Sequence, residues 1–237
     1  MKVRSLSIGI AAFGAAATLV ATGIVSAANA EGAPAVSADP AVTQLVTTLE
    51  RFEVAPDVQD KLVAKFLRGE SLDADKGAIP VSESTKTVDG QRVTRYVYAD
   101  GSVAQSSLAL PVEGGTGPRA IAGCNHTSRN GTHEYKGCKV TWDAVSWSGG
   151  MVADYGYYTF GSFVTSVTGA WFEGGGDISR NPSEIPVPSC NSSCVSWGQS
   201  SAIQKLTVGG LGITRTIGIK ISVNNSNIKG GKSSSFG

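Results

Sequence analysis

The chain is short of charge. Of its 237 residues only 16% are Asp, Glu, Lys or Arg, against about 25% in an ordinary soluble domain. A long coiled coil, an acidic solvating tail and a polybasic nucleic-acid binder all need charge in bulk, so none of them fits. The formal net charge of +1 supplies no long-range pull toward an anionic partner. With two histidines and four cysteines, imidazole and thiol chemistry have few places to occur. Motifs of catalysis are missing as well: there is no Gly-x-Ser-x-Gly, and no Ser-x-x-Lys with its companion motifs. No Gly-x-x-x-x-Gly-Lys is present to cradle phosphate. The triple glycine Gly174-Gly175-Gly176 lacks both the lysine and a following helical pattern. Nothing in the sequence calls for a cofactor.

What is present begins at the N-terminus. Lys2 and Arg4 precede an uncharged apolar stretch from Leu6 to Val25, which closes on Ala28-Asn29-Ala30. This is the arrangement of a signal peptide cleaved after Ala30. Twenty apolar residues could also form an uncleaved anchor, but alanine and glycine dominate the stretch and a small-x-small cleavage pattern ends it. No twin arginine and no cysteine near the cut point to another route. Later apolar runs are short, so no further membrane span is expected, and the product is expected to be secreted.

The remainder divides near Glu113-Gly114-Gly115-Thr116-Gly117-Pro118, which reads as a linker over 114–119. Residues 31–113 carry 13 acidic and 8 basic side chains, a net of −5, and residues 114–237 carry 6 and 10, a net of +4. The near-neutral whole is a cancellation. All four cysteines and all four tryptophans fall in the second part.

In the acidic part, Asp39-Pro40 opens a helix with a stripe of Val42, Leu45, Val46, Leu49 and Phe52. A second helix begins near Pro56, buries Val58, Leu62, Val63, Phe66 and Leu67, and stops at Gly69. Together they read as a helical hairpin. Asp89-Gly90 and Ala99-Asp100-Gly101-Ser102 then set the turns of a three-stranded meander ending at Leu110. The run from Tyr96 to Val103 within it resembles a segment of secreted actinobacterial proteins whose function is not established. That resemblance implies a Gram-positive secreted protein and transfers no activity.

The second part, 120–237, reads as antiparallel β. Near its end Gly209-Gly210 joins Ala202–Val208 to Leu211–Val223. The second of these strands sets Leu211, Ile213, Ile217, Ile219, Ile221 and Val223 on one face, with Arg215 the exception. The tail from Asn224 is polar and reads as mobile. The expected fold is therefore mainly β: a short N-terminal helical hairpin and β-meander, then an antiparallel β-sandwich or open barrel with two disulfides.

Four cysteines allow three pairings. Nearest-neighbour pairing, Cys124 with Cys138 and Cys190 with Cys194, is the expectation for a secreted chain. With Gly131 at the centre of an odd-numbered loop and Cys124 opposite Cys138, His126 faces Lys136 and His133 faces Arg129. The imidazoles then point to opposite faces, and the zinc or copper reading of His126, His133 and Glu134 gives way to two surface residues. A two-residue turn would shift the register and partly restore the pair. No metal site is expected.

For function, the tyrosines Tyr155, Tyr157 and Tyr158 with Trp142 and Trp147 are the candidates for a binding platform, although such rings more often fill a β core. The leading expectation is a secreted, non-enzymatic protein that binds cell-wall glycan or another extracellular polymer. One alternative is an acidic pro-segment that masks a basic toxin or bacteriocin-like module, released by cleavage after Arg119 or within the glycines of the linker. Another is an unrecognised glycoside hydrolase, with Glu173 and Asp177 as its two carboxylates on either side of the triple glycine.

Overall fold

Asp39 begins the first helix as its sequence suggests: its carboxylate accepts a hydrogen bond from Ala41 N at 2.9 Å, and Pro40 occupies the first turn. The computed structural model describes residues 39–111, 124–185, 190–191, 195–224 and 227–232. The signal peptide with its cut after Ala30, the 114–119 stretch and Cys194 lie outside the described residues, as does the side chain of Cys190.

Helix α1 (Pro40–Arg51) buries Val42, Leu45 and Leu49, and α2 (Pro56–Leu67) buries Leu62 and Phe66. A short α3 (Asp73–Lys76) follows, which the sequence pattern does not announce. Strands β1 (Ser82–Val88), β2 (Gln91–Val97) and β3 (Val103–Ala109) pair antiparallel in succession as the meander. Its first turn has φ of 49° at Asp89 and 70° at Gly90, the positive pair that a two-residue hairpin turn of matching twist requires.

Beyond residue 124 the chain is strand after strand: β4 (Asn125–Arg129), β5 (Thr132–Asp143), β6 (Trp147–Tyr158), β7 (Gly161–Gly174), β8 (Asp177–Arg180), β9 (Cys190–Asn191), β10 (Ser196–Val208), β11 (Leu211–Asn224) and β12 (Asn227–Lys232). The described strands form two antiparallel sheets. One of eight strands runs β1-β2-β3-β5-β6-β7-β9, with β4 on β5, and one of four runs β12-β11-β10-β8. Pairing of β3 with β5, from Gln105 opposite Asp143 to Leu108 opposite Val140, makes the meander part of the larger sheet.

The sheets meet on their apolar faces. From β11, Ile217, Ile219, Ile221 and Val223 are fully buried, alongside Val140, Met151, Ala153 and Val164 of the larger sheet. Each such side chain contributes about 1.5–3 kcal/mol on leaving water. The tail after Asn224 departs from expectation: residues 227–232 pair with β11 as β12. Gly230 is what admits it, because a Cβ there would lie 2.7 Å from Val140 Cγ1.

Arg215, the exception in the β11 pattern, also has its reason. Its guanidinium pairs with Asp75 of α3 at 3.1 Å, donates to the Ser146 hydroxyl and binds Gln204 Oε1 at 2.9 Å. The Ser146 hydroxyl in turn donates to Asp75 Oδ2. An acid from the acidic part and a base from the basic part thus close one buried polar network.

A second network holds α2 and α3 to the β2–β3 turn. Lys65 Nζ reaches Asp100 at 2.7 Å and Asp73 at 3.3 Å, and the backbone N–H groups of Asp73 and Ser102 donate to Asp100. Burial alone would raise the Asp100 carboxyl, but hydrogen bonds from Lys65, Ser102 and the Asp73 backbone outweigh it and hold it below its ordinary 3.8. A carboxyl depressed on folding stabilises the fold above its unfolded value and loses that contribution as pH falls. The contribution is therefore complete at neutral pH and drains away below about 3.8. Denaturant unfolding from neutral into acid pH is expected to show Asp100→Asn less stable at neutrality and flatter in its acid decline. An acid decline as steep as that of the unaltered protein would contradict the assignment.

Candidate functional site

The hairpin of β4 and β5 corrects the histidine geometry. Its turn is the two-residue Asn130-Gly131, with φ of 51° and 76° and Arg129 opposite Thr132, and not an odd-numbered loop. His126 consequently lies opposite Tyr135, and Ser128 opposite His133, which brings both imidazoles to one face. They stand side by side, nearly coplanar at 4°, with His126 Nε2 3.1 Å from His133 Nδ1. Cys124 still bonds to Cys138 because β5 carries one extra residue between Tyr135 and Cys138. Gly137 absorbs it at φ 72°, its N–H bonded to Asp154 at 2.7 Å. Such a bulge shifts the ladder by one residue, so the short turn and the disulfide coexist. This is the one disulfide seen among the described residues.

Around the pair, rings accumulate. His126 stacks on Tyr135 at 4.6 Å, His133 on Tyr157 at 4.8 Å, and Tyr135 on Tyr155 at 5.0 Å. Tyr155 and Tyr135 are buried at the base of this ladder and burial pushes both phenols up, while Tyr157 is half-buried and His126 exposed. Phe160, at the tip of the adjoining β6–β7 turn, is 70% exposed. Glu134 alternates to the other face, and no group of three or more His, Cys, Asp or Glu among the described residues is placed to hold a metal.

The structure distributes the other predicted residues. Trp147 is 1% exposed and packs on Phe172 at 6.2 Å, so its ring has no surface to offer. Tyr158 is half-buried, on the face of β6 opposite Tyr157. The side chains of Glu173 and Asp177 are both exposed and make no ion pair or hydrogen bond among the described residues. Across the sheet Glu173 stands opposite Ser148, which stands opposite Asp143. Asp143, not Asp177, is thus the acid in register with Glu173. Burial first and Glu173 next push the Asp143 carboxyl up, against Arg51 and Lys139.

Trp142 leads to a different place. Together with Tyr96 and Tyr98 it lines a hollow of about 250 Å³, closed by Ala78 and Pro80 on one side and by Lys220, Ser222 and Lys229–Gly231 on the other. The Tyr96 and Trp142 rings are 5.4 Å apart, tilted by 34°. A second hollow of about 210 Å³ shares Tyr96, Lys229 and Gly230 with the first and continues past Thr85, Thr94 and Ser106 to Glu83 and Arg92. The two form one groove, aromatic at one end and rich in hydroxyls at the other. Arg92 helps to hold its wall by donating to the Ile228 carbonyl of β12.

A third hollow, of about 420 Å³, lies by the bulge along Tyr135, Tyr155 and Phe163. Its charges are committed inside the protein, since Lys136 pairs with Glu134 and Asp154 holds the bulge. In the groove, by contrast, Lys220 and Lys229 have no carboxylate partner among the described residues. Lys220 Nζ lies 4.6 Å from the centre of the Trp197 ring, and burial pushes its ammonium down. Alternation in Arg95-Tyr96-Val97-Tyr98 puts both tyrosines on one face, which was a signal for half of this site. Nothing local placed β12 against them.

No protein-family model, no curated protein and no solved structure matches this chain.

Proposed function

We propose that this is a secreted protein that binds a cell-envelope or environmental polymer through the groove between β2 and β12, without chemistry on it. The observation that carries this reading is the continuity of the two hollows around Tyr96. A small ligand needs one enclosed pocket, whereas a polymer needs successive positions along an open track. Rings suit the apolar faces of sugars, and the hydroxyls of Thr85, Thr94 and Ser106 suit their polar edges. Among the described residues no helix is long and apolar enough to cross a membrane.

The groove draws on both halves of the chain, Tyr96 and Tyr98 from one and Trp142 and Lys220 from the other. With the β3–β5 ladder and the Asp75–Arg215 pair, this favours one working unit over a pro-segment and a released basic module. Co-sedimentation of the intact protein with purified cell walls and insoluble polysaccharides is the direct test. Retention by at least one polymer is expected, with a loss of about tenfold in Tyr96→Ala, measured below the lowered unfolding midpoint that the loss of its contacts with Trp142 and Ser106 brings. Failure to bind every polymer offered would overturn the reading.

A further inference from the structure

The charges of the groove are not evenly spread. Among the described residues, Lys220 and Lys229 are the charged ones that line the aromatic hollow, and no acid joins them there. Glu83, the one acid of the groove, lines only the far hollow, where Arg92 accompanies it. Lys220 is partly withdrawn from water against Trp197, and a desolvated ammonium gains most from an anion that replaces lost hydration. An overall charge close to zero leaves this pair as a local feature, short in range and confined to one end of the track.

We propose that the aromatic hollow receives an acidic sugar of a carboxylate-bearing polysaccharide, its ring against Tyr96 and its carboxylate between Lys220 and Lys229. This rests on the groove being the polymer site. The aromatic lining decides for a sugar acid over a polyol phosphate chain: both offer an anion to the lysines, but only the sugar offers a flat apolar face to Tyr96, the half-buried ring that the buried Trp142 backs. Lysine is a point charge that tolerates either anion, so the rings and not the cations make the choice.

The test is titration calorimetry of the intact protein with three probes of similar length: an oligogalacturonate, a neutral gluco-oligosaccharide and a glycerol phosphate oligomer. The oligogalacturonate is expected to bind most tightly, with affinity falling as salt is raised. Lys220→Gln with Lys229→Gln is expected to weaken it by about tenfold or more, a larger loss than the same variant shows with the neutral oligosaccharide, and the double arginine replacement is expected to retain it. Equal affinity for the neutral oligosaccharide, or an unaffected double glutamine variant, overturns the proposal while leaving the groove a polymer site. Tighter binding of the glycerol phosphate oligomer overturns the choice of a sugar acid. Absence of binding by all three, with cell walls also not retained, fails the groove itself.

Discussion

Asp75→Ala is expected to cost the protein about 3–5 kcal/mol of folding stability, the loss typical of a buried ion pair deprived of one member. The Asp75 side chain is 1% exposed and that of Arg215 13%, so alanine at 75 strands a guanidinium where water reaches it poorly. Removing Arg215 instead leaves the buried acid without its cation, with a smaller loss because the Ser146 hydroxyl still donates to it. The double variant Asp75→Leu, Arg215→Met is expected to be more stable than the sum of its singles implies, because neither charge is then left alone. Recovery is expected to be partial: Gln204 Oε1 loses the Arg215 donor and the Ser146 hydroxyl loses both partners. Urea unfolding of the four proteins measures the coupling. Strict additivity would mean that the pair does not join α3 to β11 as described.

The second large effect concerns the Cys124–Cys138 bond. The two positions are fourteen apart in sequence, and closing a loop of that size limits the unfolded chain by about 3 kcal/mol at 25 °C. Both cysteines are buried, at 3% and 0% exposed, so replacement by alanine avoids burying a new hydroxyl. Cys124→Ala with Cys138→Ala is expected to lose about 3 kcal/mol, and the damage is expected to be local before it is global. Strand β4 is exposed throughout and pairs only with β5, so its amides should exchange with solvent well before those of β6 or β11. Hydrogen exchange that stayed uniform across the sheet would refute the local part. Polymer binding should survive, since the groove lies along β2 and β12.

Much of the fold could be read from short stretches. Asp39-Pro40 and Pro56 mark helix starts, Asp89-Gly90 and Gly209-Gly210 mark hairpins, and alternation in β11 marks a buried face. Local sequence misplaces the histidine pair, because Asn130-Gly131 and the cysteines together suggest one symmetric hairpin, whereas a bulge at Gly137 lets turn and disulfide obey different registers. Arg215 looked like a flaw in a pattern and is half of an ion pair whose other half lies 140 residues away.

The sequence by itself determined most of the secondary structure, though not α3 or β12, together with the bias toward antiparallel β and the opposed charges of the two parts, because backbone torsion preferences and side-chain periodicity act over a few residues. Only the tertiary structure decided where those charges meet and which aromatics gather around the groove. Tyr96, Trp142, Lys220 and Lys229 come from strands that local patterns leave unordered relative to one another. Their meeting depends on β3 pairing with β5 and on Gly230 admitting β12 to the core. Such contacts form because closing the two sheets buries apolar surface across the whole chain, a gain that no single segment carries in its own sequence.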